Sequence, residues 1–204
     1  MKSRIAITAC LTLLLTSGCA WLLTPNVETK IESLKPGQYK LDPEHTTVLF
    51  KVKHLGLSTY VGRFNEFDAS LDFDPNNMSK TRLDAQVKIN SIDVNNKDLE
   101  ETLRDDDWFD SQRFPVASFK TLSVSPGENG NFIFNAELTL KGVTKPISLN
   151  ATFNGGASNV LTGYYTLGFS AQGSLKRSEF GIDTAIPMVS DKVDIEIFAE
   201  FQKK

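Results

Sequence analysis

The sequence predicts an all-β fold: an extended antiparallel β-barrel of eight strands, with one short helix between the third and fourth strands. Eight stretches of the 204-residue chain place apolar residues on alternate positions, the period of a β-strand with one apolar and one polar face. Turn-forming residues separate these stretches, and short connections between amphipathic strands indicate antiparallel pairing. A closed barrel removes the exposed edges that the alternative, a two-sheet sandwich, must protect.

The start of the chain resembles a bacterial lipoprotein signal. Lys2 and Arg4 precede an apolar run that is too short to cross a bilayer and that ends in small residues. Cys19 follows directly, as the lipid-bearing cysteine of a lipobox does, although Thr16 departs from the aliphatic residue usual at its position. We therefore expect residues 1–18 to be a lipoprotein signal peptide; an ordinary signal peptide and an uncut anchor are the alternatives.

The next segment predicts a tether. Residues 19–37 lack a strong period and lead into a barrel domain over residues 38–204. Removal of Cys10 with the signal and lipidation of Cys19 would leave no thiol for a disulfide or a nucleophile. The sequence thus predicts export to the periplasm of a Gram-negative bacterium. Ala20 after the cysteine favours the outer over the inner membrane as the site of the anchor.

Composition argues against several classes of function. The formal net charge is −3, whereas a nucleic-acid-binding protein needs a basic face. The two histidines and two cysteines show no spacing typical of a metal site, so we expect no metal. No GxSxG motif and no phosphate-binding glycine loop occurs. We therefore expect a protein that is not an enzyme and uses no cofactor.

The first four strands follow from alternation, with one ambiguity. His54 and Arg63 share the parity of the apolar faces of strands one and two, so both are expected to point inward. Strand four, near residues 116–124, is ambiguous because Phe119 lies opposite Val116, Leu122 and Val124. The apolar faces of strands one to three carry Val48, Phe50, Val52, Val61, Phe67, Ala69, Leu71, Phe73, Leu83, Ala85, Val87 and Ile89.

Residues 96–109 interrupt the alternation and predict the helix. They contain helix-forming residues without a β-branched run, and Asp93 or Asn96 could cap the first turn. Leu99 and Leu103 lie four positions apart and therefore on one face. We expect this helix to cross between strands three and four and to close one end of the barrel.

The last four strands are the most regular. Residues 132–153 predict a hairpin with one apolar and one polar face. Its apolar face, and those of strands seven and eight, carry Phe132, Phe134, Ala136, Leu138, Leu140, Ile147, Leu149, Ala151, Phe153, Tyr165, Leu167, Phe169, Ala171, Val193, Ile195, Ile197, Ala199 and Phe201.

Alanines stand mid-strand on nearly every apolar face. An eight-stranded barrel is either filled by side chains or holds one small ligand, and methyl groups leave room. Strands of this length, at ~3.3 Å per residue and a tilt of about 40°, give a barrel roughly 25 Å tall. The pattern leaves two interpretations open: an apolar slot for a hydrocarbon tail, or a solid core packed by bulky partners. The alanines are Ala69, Ala85, Ala136, Ala151, Ala171 and Ala199.

Four blocks resemble the YceI-like family of bacterial periplasmic proteins. Residues 39–74, 91–121, 138–153 and 169–197 match in order and spacing, and contain the motifs KHLG, GRF, LxLxGVTKP and RSxFGI. The resemblance implies a lipocalin-like barrel whose lumen binds a polyisoprenoid or similar amphiphile, such as a quinone tail or fatty amide, as a ligand rather than a cofactor. Thr102 occupies a position where many relatives have histidine, which argues against any role that depends on a histidine there.

Candidate ligand-binding residues follow from parity. His54 either contacts a ligand head group or is satisfied by backbone at a barrel corner. Arg63 either holds a polarised oxygen at the mouth or pairs with a carboxylate such as Asp68, and Arg177 has the same alternatives with Glu179. Four aromatic residues near the helix exit either line the slot or dock the helix. The full set is Phe50, Val52, His54, Arg63, Phe67, Ala69, Leu71, Ala85, Trp108, Phe109, Phe114, Phe119, Phe134, Ala136, Leu138, Leu149, Ala151, Phe169 and Ala171.

The sequence therefore predicts a lipid-anchored periplasmic protein that binds, sequesters or carries an isoprenoid-type lipid in its barrel. Its expected partners are the lipid and the membrane that holds the anchor, and a homodimer remains open. Two alternatives remain: an enzyme that acts on a lipid or quinone at the barrel mouth, and an envelope-stress interaction protein with a solid barrel.

Overall fold

A computed structural model describes residues 24–204, which form a closed β-barrel. The predicted signal peptide and the lipidation site at Cys19 lie outside the described residues. Within the described range the strands are β1 (Gly37–His54), β2 (Ser58–Phe64), β3 (Phe67–Phe73), β4 (Arg82–Lys88), β5 (Ile92–Asp93), β6 (Val116–Pro126), β7 (Phe132–Leu140), β8 (Val143–Ser158), β9 (Tyr165–Lys176) and β10 (Lys192–Lys203), and one α-helix, α1, spans Lys97–Arg104.

The barrel wall consists of eight antiparallel strands, as predicted. Its order is β1, β3, β4, β6, β7, β8, β9 and β10, and β10 pairs back onto β1 to close the ring. The start of β1, residues 37–40, pairs with β3, whereas its last part, residues 48–54, pairs with β2. β2 and β3 therefore act as one long strand with a break, and β5 extends the wall beside β2 in the same way.

The break at residues 65–66 changes which side chains point inward. Phe64 at the end of β2 and Phe67 at the start of β3 both pack towards the interior, although they are three positions apart. The alternation therefore slips by one residue, and Val61 is 47% exposed. The predicted inward orientation of Val61 and Arg63 is wrong, because simple alternation carries no information about a break within a strand.

A bulge in β6 resolves the ambiguity of the fourth predicted strand. The pairing of β6 with β7 shifts register between Thr121 and Ser123. An extra residue in one strand reverses the alternation beyond it. As a result Phe119 and Val124 both pack in the interior, whereas Leu122 is 53% exposed.

The lower end of the barrel, which holds the β8–β9 turn and the C-terminus of β10, is sealed by aromatic side chains. Tyr39 and Phe73 are at most 1% exposed and meet edge to face, with ring centroids 6.2 Å apart. Phe169 continues the cluster, 6.3 Å from Phe73 and 6.0 Å from Phe201. Edge-to-face contacts between large buried rings are favourable beyond the area that they bury. Leu34, from the segment before β1, packs on the same cluster.

The upper end, which holds α1 and the β7–β8 turn, is covered by the helix in the predicted position. Asn96 caps it, since its Oδ1 accepts a hydrogen bond from the Leu99 amide at 3.2 Å. The helix ends at Arg104, earlier than predicted, because Asp105 has an extended backbone and begins a run of weak helix formers. No helix within residues 24–204 is both long and apolar enough to cross a bilayer.

Candidate functional site

An apolar cavity of about 550 Å³ occupies the barrel lumen. This volume lies in the range of about 300–1,000 Å³ that is typical of small-molecule sites. The interpretation of the barrel as a solid core is therefore wrong. Five of the six alanines predicted on the apolar faces border the cavity: Ala69, Ala85, Ala151, Ala171 and Ala199.

Two pairs of alanines widen the lumen on opposite sides. Ala69 of β3 pairs directly with Ala85 of β4, and Ala151 of β8 pairs directly with Ala171 of β9. In the ring of eight strands these two pairs lie half a turn apart. Since cross-strand neighbours share a face, each pair presents only two methyl groups where larger residues would fill the interior.

Most of the predicted ligand-binding residues border the cavity, and they come from every strand of the wall except β10 as well as from the segment after α1. The closed ring brings them together although they are far apart in sequence. The predicted residues that line the cavity are Phe50, Val52, His54, Phe67, Ala69, Leu71, Ala85, Trp108, Phe109, Phe119, Phe134, Leu138, Leu149, Ala151, Phe169 and Ala171.

Three predicted site residues do not line the cavity. The Arg63 side chain is 55% exposed, and its Nη2 lies 3.1 Å from Asp93 Oδ2 on the outer surface. Phe114 packs against Gly142 in the β7–β8 turn, so closely that a side chain at that glycine would clash with its ring. Ala136 is 1% exposed within a packed part of the wall. The alternation of side chains along a strand predicts the face on which a residue lies. It does not predict whether larger neighbours on that face cover the residue.

Several lining residues lay outside the sequence-based set. Tyr60 lines the cavity because the break in the second strand reverses the expected parity. Leu99 and Leu103 of α1 also line it, and their shared helix face was the signal that could have identified them. Val189, in the loop between β9 and β10, carries no periodic signal and is placed only by the fold.

Arg177 belongs to the lining but is occupied by the backbone. Its Nε donates to the Ser190 carbonyl at 3.0 Å, and its Nη2 donates to the Val189 carbonyl at 2.9 Å. Its Nη1 donates to the carbonyls of Ile182 and Thr184 at 2.9 and 2.8 Å. The guanidinium therefore holds the loop between β9 and β10 in place. Neither predicted alternative for this residue, a ligand contact or an ion pair with a carboxylate, describes these bonds.

The surroundings of Arg177 are apolar on its remaining side. Its guanidinium carbon lies 5.4 Å from the centre of the Trp108 ring, a cation–π distance. Burial of the side chain, which is 5% exposed, lowers the pKa of the guanidinium from its ordinary value. Arg177 is the one lysine or arginine that lines the cavity within the described residues. Four of its five N–H donors already have partners, so the lumen offers little to a buried anion.

We infer that the cavity reaches the surface at the upper end, beside the part that α1 covers. At the lower end Leu34, Tyr39 and Phe73 are all nearly inaccessible to solvent. At the upper end His54, which lines the cavity, is exposed and forms an isolated antiparallel bridge with Val189. His54 therefore stands at the rim of the opening, where a polar ligand group would meet water.

A second group of polar residues gathers at a bulge in β1. The pairing of β1 with β10 shifts register between Asp42 and Thr47, and ligand-type atoms of Asp42, His45 and Glu200 lie within 4.8 Å of one another. One histidine and two carboxylates are donors that a divalent cation accepts. However, Asp42 already receives hydrogen bonds from the Glu44 amide and from Gln202 Nε2, and its Oδ2 lies 2.8 Å from His45 Nδ1. We interpret this group as fastening the bulge.

Comparison with known proteins places the chain among YceI-like sequences and structures. Residues 39–201 match the YceI-like domain. A UPF0312 protein of Yersinia enterocolitica is 34% identical over 165 residues, which cover 80% of this chain and 85% of that protein. The YceI protein of Campylobacter jejuni superposes with a TM-score of 0.67 at 32% identity, covering 74% of this chain and 90% of that one.

A more distant structure has the same fold. A domain from Saccharophagus degradans, described as a polyisoprenoid binding domain implicated in plant cell wall breakdown, superposes with a TM-score of 0.59 at 15% identity. The match covers 83% of this chain and all of that domain. At this identity the likeness concerns the fold alone.

The first prediction concerns His45. The hydrogen bond with Asp42, together with the charge of that carboxylate, raises the pKa of His45 above its ordinary value of about 6.5. Because the folded-state pKa is raised, the associated stability is complete below pH ~6.5 and is lost as the pH rises through the folded value. NMR titration of the imidazole should give a pKa above 6.5, and Asp42→Asn should lower it. An unchanged pKa in that variant would contradict the assignment.

The second prediction concerns Arg177. Each hydrogen bond to a charged group contributes about 1.5–3 kcal/mol, and unsatisfied buried carbonyls add a further cost. We expect Arg177→Met to lower the free energy of unfolding by at least about 3 kcal/mol, measured by urea denaturation. Lys192→Met is the control, because both side chains of its ion pair with Asp194 are more than half exposed and such a surface pair contributes about 0–1 kcal/mol. If the two variants are equally stable, the role given to Arg177 is wrong; Arg177→Lys serves if the methionine variant does not fold.

Proposed function

The chain belongs to the YceI-like domain family, and from the hollow apolar lumen of its barrel we propose that it binds one long-chain lipid, a polyisoprenoid or similar amphiphile. The observation that carries this proposal is the cavity of about 550 Å³, bordered almost wholly by apolar side chains. Burial of a hydrocarbon chain against such a lining contributes about 25 cal/mol per Å² of apolar area removed from water.

The shape of the site supports an extended ligand. The lining runs from Leu41 and Phe201 near the sealed lower end to Leu99 and Val189 near the open upper end. A chain that enters at the top can therefore extend along the barrel axis between the alanine pairs. The polyisoprenoid binding named for the Saccharophagus degradans domain, which shares the fold, agrees with such an occupant.

The polarity of the site favours an uncharged head group. The donors of Arg177 are largely taken by carbonyl oxygens, and most of the other lining residues are apolar. Burying a phosphate or carboxylate there would cost several kcal/mol without a partner. The head group would instead stand at the upper opening near His54. We therefore favour a prenol, a quinone or a fatty amide as the ligand class.

The N-terminal sequence suggests where this binding takes place. A signal peptide over residues 1–18 and a lipidated Cys19 would attach the protein to a membrane facing the periplasm. Such a protein would sequester a lipid or carry it between sites without moving far from its anchor.

The direct test is to identify what the protein holds. The full chain is expressed in a Gram-negative host, purified in mild detergent and analysed by native mass spectrometry, followed by solvent extraction of bound lipid. We expect one neutral long-chain lipid per chain, together with saturable uptake of added polyprenol or quinone. A protein that is empty and takes up neither compound would overturn the proposal. If the extracted lipid is converted to a product on incubation, the enzyme alternative would replace it.

Substitutions at two kinds of alanine separate ligand binding from packing. Ala85→Leu with Ala171→Leu fills half-buried lining positions, so we expect loss of bound lipid with little change in stability. Ala136→Leu is the matched control at a position that is 1% exposed and outside the lining. Overpacking there should cost about 1–3 kcal/mol of unfolding free energy. Lipid extraction and urea denaturation measure the two effects, and lipid content that is unchanged in the double variant would contradict a lumenal site.

A further inference from the structure

The turn between β8 and β9, at the lower end, presents an exposed apolar tip. Val160 is 63% exposed, Leu161 is 78% exposed and Tyr164 is 51% exposed, all within five positions of the chain. None of the three lines the lumen. We call these three residues the apolar tip. Large apolar side chains grouped on a surface in this way indicate a contact with something outside the chain.

The turn holds the apolar tip in a defined conformation. Asn159 Oδ1 accepts hydrogen bonds from the amides of Leu161 and Thr162 at 2.9 and 3.2 Å. The Asn159 amide donates to the Tyr164 carbonyl at 2.8 Å, and the Gly163 amide donates to the Asn159 carbonyl at 2.8 Å. These bonds build a compact turn. The apolar side chains therefore project from a fixed backbone rather than folding back onto the barrel.

The N-terminal segment is fastened to the same end of the barrel. Glu28 and Gly156 exchange two backbone hydrogen bonds of 2.8 and 2.9 Å, only two residues before β8 ends at Ser158. Val27 packs over Gly155, at a distance that leaves no room for a side chain on that glycine. The chain that leads back towards Cys19 thus departs from the barrel beside the apolar tip.

The length of that chain limits how far the barrel can stand from its anchor. Cys19 precedes Val27 by eight residues, which reach at most about 27 Å when fully extended. From Gly156 to Val143, β8 spans thirteen residue steps, about 43 Å along the strand and about 33 Å in height at a tilt of about 40°. An anchor at Cys19 therefore holds the lower end near the membrane and does not reach the upper end of an upright barrel.

Together these observations identify the surface and its occupant. We propose that the apolar tip enters the interface of the same bilayer that holds the lipidated Cys19, so that the barrel stands with its lower end on the membrane and its opening facing away. This inference rests on the lipid anchor of the proposed function. Tyrosine suits such a position because its ring is apolar and its hydroxyl is polar.

A separate group of exposed apolar residues surrounds the opening at the upper end. Leu57 is 86% exposed, Leu55 is 54% exposed, and the Leu55 amide bonds to the carbonyl of Met188, which is 57% exposed. In the proposed orientation this rim faces away from the anchoring membrane. The lumen would then exchange its ligand with an acceptor other than the bilayer beneath the barrel.

Site-specific labels test the orientation in the full-length, lipidated protein. The sequence contains only Cys10 and Cys19, which are lost with the signal and blocked by lipid, so an introduced cysteine is the sole reactive thiol. Leu161→Cys, with Val160→Cys as a second probe, carries an environment-sensitive NBD label at the apolar tip. Leu57→Cys is the matched control, a leucine of similar exposure at the opposite end. Each protein is reconstituted into vesicles of phosphatidylethanolamine and phosphatidylglycerol.

We expect the emission of the labels at the tip to shift to shorter wavelengths in vesicles. Iodide should quench these labels at least about three-fold less in vesicles than in solution. The label at position 57 should change in neither respect. Tip labels that remain as quenched as the label at position 57, or a label at position 57 that becomes shielded, would overturn the orientation. Lipid extraction from the same preparations keeps the two proposals separate: a lipid-loaded lumen with an unshielded tip refutes only the orientation, and an empty lumen with a shielded tip refutes only lipid binding.

Discussion

The hollow interior of the barrel is the constraint on which the rest of the structure depends. Side chains beside a void lose the dispersion contacts that a packed core would give them, and the alanine pairs of β3–β4 and β8–β9 keep the lumen open at that cost. The stabilising contacts are therefore concentrated at the two ends. Below, aromatic rings around Phe169 pack edge to face. Above, α1 covers the barrel while Arg177 holds the loop between β9 and β10.

Irregularities in the wall adapt a regular sheet to this hollow shape. The break after Phe64, the bulge of β1 beyond Asp42 and the bulge of β6 near Leu122 each interrupt the alternation of side chains. Each changes which residues face the lumen, and the bulge of β1 is fastened by hydrogen bonds to Asp42. Bulges bend and twist a strand locally, which a long closed sheet requires if one strand is to pair with different neighbours along its length.

The two ends of the molecule differ in what they offer to a ligand and to a membrane. The lower end is sealed by buried rings and receives the N-terminal segment through Glu28. The upper end carries the opening, bordered by His54 and by exposed leucines. If the chain is anchored as proposed, the opening of the lumen and the end that attaches to the membrane are separated by the height of the barrel. A carrier gains from this separation, because attachment then does not block access to its lumen.

The alternation of apolar and polar residues along one strand depends only on that strand, so it could be predicted from the sequence. The eight strands, the capped helix and the alanines of the lining all follow from the spacing of side chains along the chain. Three features at particular residues were decided only by the tertiary structure. Arg63 faces outward because the strand that contains it is broken. Ala136 is buried in the cluster that also contains Val124 and Ile147. The guanidinium of Arg177 is bonded to carbonyls five to thirteen residues away. The tertiary structure also decided whether the lumen is hollow. A cavity is formed by all the strands of the wall together, so the pattern of one strand cannot predict it.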